Sequence, residues 1–300
     1  MKRTLQTVFL LCLIFAGLMT NQALAVSAYP YPVQVKQPDG TTITVILQGD
    51  EKVKWAQTLD GYTIMYNKKG VFEYASQTGE GDLTPSGIVV SDISSRKSDE
   101  LKFLSKTSKG LLYSTSQVSL MKSIYDIKST EAQKAFPTTG SRKLVCILMG
   151  YKDKAFTKTQ AEFNNLYNQV GYTTGGATGS VKDFYLESSY NQFDLSVTVA
   201  GPYTAANNMS YYGGNDASGN DLNPRALVSE AINAADATVN FADFDNDGDG
   251  TVDGVYIIYA GYGEEAGGGV NCIWAHAWSL ATAVTKDGKS ISKYSCSAEL

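Results

Sequence analysis

The chain carries a dense run of aspartates between residues 243 and 253, which read D-F-D-N-D-G-D-G-T-V-D. Neighbouring carboxylates repel one another, so a folded loop of this composition needs a cation between them. Counted from Asp245 as position 1, Asp247 and Asp249 take positions 3 and 5 of a calcium loop, and Gly250 takes position 6, where the sharp turn lies. The predicted calcium ligands are Asp243, Asp245, Asp247, Asp249 and Asp253.

The same loop departs from an EF-hand at position 12, where Tyr256 stands in place of the bidentate glutamate. We therefore expect an oxygen-rich site for a structural calcium ion that is not an EF-hand. The alternative is a solvated turn of aspartates and glycines without an ion.

Two further carboxylates, Glu264 and Glu265, lie between glycines in G-Y-G-E-E-A-G-G-G. They follow the end of a predicted strand, where they could bind a second cation or line a substrate groove. A solvated acidic turn explains the same residues equally well. The sequence leaves both interpretations open.

The single histidine, His276, is flanked by Trp274 and Trp278, which favours a packed histidine at the edge of a cleft. Cys272 precedes it by four residues, whereas a catalytic Cys–His pair is normally assembled from distant segments. Nucleophilic catalysis is therefore disfavoured. Cys272 and Cys296 could form a disulfide, whereas Cys146 lies in an apolar run and is expected to be a buried thiol.

The N-terminus has the pattern of a secretory signal peptide over residues 1–25. Lys2 and Arg3 precede an apolar run over residues 8–18, and small residues offer cleavage after Ala25 or Ala28. The run is too short to span a bilayer. The remaining chain has 23 basic and 30 acidic residues, which argues against nucleic acid and anionic membranes as partners. We expect a secreted or cell-envelope protein.

The elements that must position these residues divide the chain into two parts. Residues 26–95 are typical of a small all-β module, with a meander over 33–75 whose strands are separated by glycine turns. Residues 96–140 are a predicted connector with one helical piece near 98–106 and an otherwise poorly structured, protease-sensitive course.

Residues 141–300 alternate between predicted strands and helices, which indicates an α/β layer architecture. Thr157 and Gln160 predict the start of a helix that runs to about Val170, and Ser180 with Asp183 predicts a second. Further predicted elements are a strand over 193–200 that ends at Gly201-Pro202, a helix from Pro224, a strand over 252–260, and a hairpin around 286–288.

Several motifs from residue 180 onward follow one family in order: S-V-K-D-F-Y-L-E-S-S-Y-N-Q-F-D-L, V-A-G-P-Y-T, Y-Y-G-G, the aspartate loop, Y-A-G-Y-G-E-E-A-G-G and I-W-A-H-A-W-S-L. The chain resembles the immune inhibitor A family of secreted bacterial zinc metalloproteases. Its first part, with Q-P-D-G-T and W-A-Q-T-L-D-G-Y, resembles the family's N-terminal propeptide.

The resemblance implies an α+β fold, in which a small all-β propeptide precedes an incomplete α/β zinc-metalloprotease-like domain with a mixed sheet and backing helices. It implies proteolysis of protein or peptide substrates, with the aspartate loop as a calcium site and residues 261–278 beside the cleft. Zinc is implied as well, but family members bind it through H-E-F-G-H, and one histidine cannot supply that motif. We therefore expect residues 1–300 to be the part upstream of the zinc-binding helix and to be inactive alone. The alternative is a non-catalytic secreted calcium-binding module or an inhibitor-like relative.

Overall fold

The computed structural model describes residues 26–124, 136–216 and 219–300. The predicted signal peptide therefore lies outside the described residues. Among these residues no helix is long and apolar enough to cross a membrane. Both sheets and helices are present, as the α+β prediction requires.

The N-terminal unit, residues 26–124, is built on an antiparallel sheet in which each strand pairs with the next along the chain. This confirms the predicted meander and extends it beyond residue 75. The strands are β1 Val33–Lys36, β2 Thr42–Gly49, β3 Lys54–Thr58, β4 Thr63–Tyr66, β5 Phe72–Gln77 and β6 Leu83–Val89.

Alternating apolar residues of this sheet form a core that is closed by one helix. Helix α1, Ser98–Leu104, brings Leu104 into the core and Glu100 to the hydroxyl of Tyr74, 3.2 Å away. Arg96 forms a bidentate ion pair with Asp60 at 2.6 and 2.8 Å. The helix predicted near 98–106 is therefore confirmed.

The predicted connector is more ordered than expected over part of its length. A second helix, α2, spans Thr115–Ile124 and buries Met121. Gln117 at its start exchanges two hydrogen bonds of 2.9 Å with the backbone of Leu83. The mixed composition of this segment concealed the helix, because its stability comes from packing against the first sheet.

The C-terminal unit, residues 136–216 and 219–300, contains a mixed sheet with the order β10-β11-β9-β7-β8. Strands β8, β7, β9 and β11 are parallel, and β10 pairs antiparallel to β11. The strands are β7 Gly140–Gly150, β8 Phe193–Thr204, β9 Val255–Tyr259, β10 His276–Lys286 and β11 Lys289–Ala298.

Helices cover both faces of this sheet, because β7 alternates its side chains between two apolar cores. Val145, Ile147 and Met149 pack with the helix Pro224–Ala235, whereas Cys146 and Leu148 pack with Phe163 and Tyr167. In chain order, the helices of this unit are α3 Gln160–Asn168, α4 Val181–Ser188, α5 Met209–Gly213 and α6 Pro224–Ala235.

Two predicted boundaries in the C-terminal unit are wrong. The first capping box uses Thr159 and Glu162, so α3 starts at Gln160 and ends before Val170, which is exposed. Strand β8 continues through Gly201-Pro202 to Thr204, because its far end still pairs with Met149 and Gly150. The capping of α4 by Ser180 and Asp183 is confirmed.

Candidate functional site

The two units meet at an acidic pocket into which the N-terminal unit inserts Lys54, the first residue of β3. The Lys54 ammonium is hydrogen-bonded to the carboxylate of Glu264 and lies 3.7 Å from Oδ1 of Asp221. It also lies 5.0 Å from the centre of the Trp274 ring, within the range of a cation–π interaction. A lysine of one unit thus pairs with buried carboxylates of the other.

Three loops of the C-terminal unit supply this pocket. Glu264 and Glu265 form a short helical turn, Glu264–Ala266, just beyond the carboxyl end of β9. Asp221 precedes helix α6, and Trp274 precedes strand β10. In open α/β sheets, ligands bind outside the carboxyl ends of the strands. The acidic pocket occupies that position relative to β9.

Donors within the C-terminal unit hold the carboxylates of the acidic pocket in place. The backbone N–H of Trp274 donates to Oδ2 of Asp221 at 3.1 Å, and the Asn215 amide donates to Oε1 of Glu264 at 2.7 Å. The backbone N–H of Ala275 donates to Oε2 of Glu265 at 3.0 Å. The side chains of Asp221 and Glu264 are only 3% and 7% exposed.

Burial and charge act on these groups in opposite directions. Burial raises the pKa of Asp221 despite the opposing effect of Lys54, and burial also raises the pKa of Glu265. Burial acts to lower the pKa of Lys54, but Glu264 and Asp221 outweigh it, so that pKa is raised. The ammonium therefore stays charged, and its charge favours the ionised form of Asp221, against the effect of burial.

The segment that leads into the first sheet makes additional contacts between the two units. The backbone N–H of Tyr29 donates to the carbonyl of Glu265 at 2.9 Å. The Trp274 indole donates to the carbonyl of Val26 at 3.2 Å. Gly267 has a positive φ of 84°, and a Cβ there would stand 3.0 Å from the Val33 side chain. The glycine-rich turn therefore lies in tight contact with the N-terminal unit.

A cavity of about 510 Å³ extends from the acidic pocket between the two units. Its walls include Lys54, Glu264 and Trp274 together with apolar side chains of the first sheet and of helix α2. Glu264 is the one of the two neighbouring glutamates that lines this cavity. The side chain of Glu265 accepts the hydrogen bond from the backbone N–H of Ala275.

His276 does not border this cavity, so the cleft-edge prediction is wrong for that residue. It is 2% exposed, with Nδ1 2.7 Å from the carbonyl of Trp274 and Nε2 2.8 Å from the hydroxyl of Tyr294. Burial lowers its pKa to about 4, so the imidazole is neutral at pH 7. Its hydrogen bonds give it a structural role in joining β10 to β11.

Cys272 and Cys296 do not form the disulfide that their sequence left possible; both are buried free thiols. Cys296 faces His276, with Sγ 3.5 Å from Nδ1, whereas Cys272 lies 3.2 Å from the carbonyl of Gly268. Burial raises the pKa of the Cys272 thiol to about 12, which leaves it unreactive as a nucleophile. Cys146 is also buried, as predicted.

The aspartate loop brings three of its five predicted ligands together. Asp245, Asp247 and Asp249 each offer a carboxylate oxygen within 4.8 Å of the others. The remaining two have other partners: Asp253 accepts from the backbone and amide of Asn246 at 2.7 and 2.9 Å, and Asp243 lies 3.6 Å from the Lys143 ammonium. Asp245 also pairs with Lys289 at 2.7 Å, and this interaction lowers its pKa.

Comparison with known proteins identifies the C-terminal unit. The family model described as "Immune inhibitor A peptidase M6, catalytic domain" matches residues 149–298, which is half of the chain. The chain belongs to the immune inhibitor A (M6) family of peptidases. The matched span contains Asp221, Glu264 and Trp274, whereas Lys54 lies outside it.

Two curated relatives match shorter segments. The pre-pro-metalloprotease PrtV of Vibrio cholerae serotype O1 is 38% identical over 138 residues, which are 38% of this chain and 15% of that protein. Immune inhibitor A of Bacillus thuringiensis subsp. alesti is 32% identical over 127 residues, 35% of this chain and 18% of that protein. The match thus covers less than a fifth of either relative's length.

Sequence reasoning identified Glu264 and Glu265 but missed Lys54 and Asp221. For Lys54 the sequence contains only a weak signal. Lys54 begins the segment K-W-A-Q-T, which lies between two turn motifs and forms strand β3. Asp221 lies in a polar loop whose composition gives no sign of burial. Only the contact between the two units reveals that they form one site.

Proposed function

We propose that this chain is part of a secreted zinc metallopeptidase precursor that acts on proteins or peptides. The observation that carries this proposal is the match of the C-terminal unit to the family's catalytic domain. The name of the Vibrio relative, a pre-pro-metalloprotease, supports it. In such enzymes the metal activates water for attack on a peptide carbonyl when it is bound.

The residues of this sequence do not themselves fit a zinc site. The single histidine is buried, and both of its ring nitrogens already have hydrogen-bond partners. Among the described residues, the only group of three metal-capable side chains that converge is made of carboxylates, which suit calcium better than zinc. We therefore assign no catalytic step to residues 1–300 and expect them to be inactive alone.

The contacts of the N-terminal unit support the proposal that it is a latency propeptide. It covers the turn beyond β9 and fills the acidic pocket with Lys54. A cut between the units would release that cover, in line with a precursor that is activated by proteolysis. An intact precursor as active as its cleaved product would contradict this role.

A contact within the N-terminal unit, between Val26 and Glu51, favours signal-peptide cleavage after Ala25 over cleavage after Ala28. The backbone nitrogen of Val26 lies 2.8 Å from Oε2 of Glu51, a buried carboxylate whose pKa burial raises. Cleavage after Ala25 would give Val26 a free α-ammonium group there, whereas cleavage after Ala28 would remove this partner. We expect N-terminal sequencing of the secreted protein to begin at Val26. A sequence that begins at Tyr29 would contradict this assignment.

The aspartate loop supports the proposal of a structural cation in addition to the zinc ion. Asp245, Asp247 and Asp249 would supply carboxylate oxygens to calcium, as the spacing of the sequence predicts. If the protein has no peptidase activity in any form, this loop remains the basis for the alternative function of a secreted calcium-binding module.

The proposed function is tested with the product of the entire reading frame that encodes this chain, purified from the medium. We expect it to digest denatured casein after removal of the N-terminal unit, to lose that activity with a zinc chelator, and to regain it with added Zn²⁺. The chain of residues 26–300 is the matched control, and it should neither digest casein nor retain stoichiometric zinc. Digestion that is insensitive to chelators, or its absence in every form, would overturn the proposal.

A further inference from the structure

We propose that the acidic pocket is a subsite for a basic side chain of a peptide substrate, and that Lys54 occupies this subsite in the intact chain. The inference rests on the proposed function, since it names the kind of substrate residue that the peptidase would bind. It concerns Asp221, Glu264 and Trp274 of the C-terminal unit and one lysine of the N-terminal unit.

The pocket already contains the side chain that defines its chemistry. The Lys54 ammonium meets the Glu264 carboxylate, lies 3.7 Å from Asp221 and lies over the face of Trp274. Carboxylates beside an aromatic face are the usual environment of a bound alkylammonium or guanidinium group. A lysine or arginine of another peptide would find the same partners.

The pocket is built by the C-terminal unit and does not need Lys54 to orient its carboxylates. Asp221 is held by the Trp274 backbone and Glu264 by the Asn215 amide, both from their own unit. In addition, Oδ1 of Asp221 is buried without a hydrogen bond and is directed toward the ammonium. This oxygen is a buried acceptor with unused capacity, which a ligand with more donors could satisfy.

The geometry favours a monovalent organic cation over a divalent metal ion. The oxygens of Asp221, Glu264 and Glu265 do not converge as closely as those of the aspartate loop, the only convergent group among the described residues. A calcium ion requires several oxygens at 2.3–2.6 Å, whereas an ammonium needs only separate acceptors. The Trp274 ring on one side would also leave a metal ion poorly coordinated.

Chemical complementation of the full chain tests this inference. Lys54→Ala should leave space for the missing three-carbon amine, so n-propylammonium should raise the melting temperature of that variant by several degrees. Wild-type protein and Lys158→Ala, which removes an exposed lysine paired with Glu162 at 3.8 Å, should show no comparable rise. The isosteric neutral probe n-propanol should have no effect on any of the three chains.

Equal responses of all three chains to n-propylammonium would overturn the inference. A selective response of Lys54→Ala to Ca²⁺ in place of the amine would also overturn it, since the pocket would then be a metal site. If Lys54→Ala does not fold in buffer alone, its refolding yield with n-propylammonium and with n-propanol provides the same comparison. Only a higher yield with the amine would support the subsite.

Once an active product has been purified, the substrate role of the acidic pocket can be measured separately. Asp221→Asn should lower kcat/KM for a lysine-containing peptide about tenfold relative to the same peptide with norleucine. Amine binding with no peptidase activity in any form would overturn the proposed function and, with it, the substrate role of the pocket. Activity without amine binding or lysine preference would overturn this inference alone.

Discussion

At the scale of single residues, Lys54 forms a buried ion-pair contact with the acidic pocket across the interface between the two units. Breaking a buried ion pair from one side leaves uncompensated charge and costs about 3–5 kcal/mol. Exposed pairs contribute about 0–1 kcal/mol because water screens them. Because Asp221 and Glu264 are buried, their contact with Lys54 belongs with the buried ion pairs.

Lys54→Met should therefore lower the free energy of unfolding by about 3–5 kcal/mol, because it strands the two carboxylates without their cation. The matched control is Lys158→Met, whose partner Glu162 is half exposed and whose loss should cost about 1 kcal/mol or less. Urea unfolding of both variants measures the difference. Equal losses would show that the Lys54 contact contributes no more than a surface pair.

His276 makes a second prediction at this scale, on pH dependence. Above pH 6.5 the imidazole is neutral in the folded and unfolded chains and adds no pH dependence. Below pH 6.5 the unfolded chain binds a proton, whereas the folded chain does not until about pH 4. The free energy of unfolding should fall over that interval by roughly 3 kcal/mol from this group.

Other acidic groups titrate in the same interval, so His276→Gln is the appropriate comparison. Its unfolding free energy, measured from pH 7 to pH 4, should lack this fall, and the difference between the two profiles isolates the imidazole. Parallel profiles would contradict the neutral, buried state of His276.

At the scale of elements, local sequence predicted what local interactions determine. The capping box of Ser180 and Asp183, the alternation from Phe193 to Val199 and the hairpin at Asp287-Gly288 all formed as expected. Helix α2 and the full length of β8 were not predictable in this way, because they depend on Leu83 and on strand β7. The acidic pocket was hidden for the same reason, since Lys54 and Glu264 are 210 residues apart.

The glycine-rich turn gives an element-scale prediction. Gly267→Ala and Gly269→Ala both place a Cβ at a positive φ, of 84° and 97°, so both incur similar backbone strain. Only at position 267 does the new Cβ meet the Val33 side chain of the N-terminal unit. Gly267→Ala should therefore lower the melting temperature further than Gly269→Ala. Equal shifts would indicate that the turn does not press against the N-terminal unit.

The aspartate loop gives a second prediction at the scale of elements. Calcium should raise the melting temperature of the wild-type chain, and Asp247→Asn should abolish most of that rise by removing one of three converging carboxylates. Asp236→Asn is the control, since Asp236 pairs with Lys286 and is not one of the three converging carboxylates. A calcium effect of the same size in all three chains would contradict the proposed site.

At the scale of the whole molecule, the N-terminal unit covers one edge of the C-terminal unit. The C-terminal unit belongs to a peptidase family, and the N-terminal unit closes the edge beyond β9 with a lysine, a backbone segment and the walls of a shared cavity. Sequence motifs identified the family and the order of the units. They could not reveal the docking, which depends on two surfaces that fit each other.

The role of Lys54 in holding the N-terminal unit against the C-terminal unit is tested by hydrogen exchange at the Tyr29 amide. That N–H donates across the interface to the carbonyl of Glu265. We predict exchange about tenfold faster or more in Lys54→Met than in wild type or Lys158→Met, since loss of the buried pair should open the interface. The same exchange rate in all three chains would show that Lys54 does not hold the two units together.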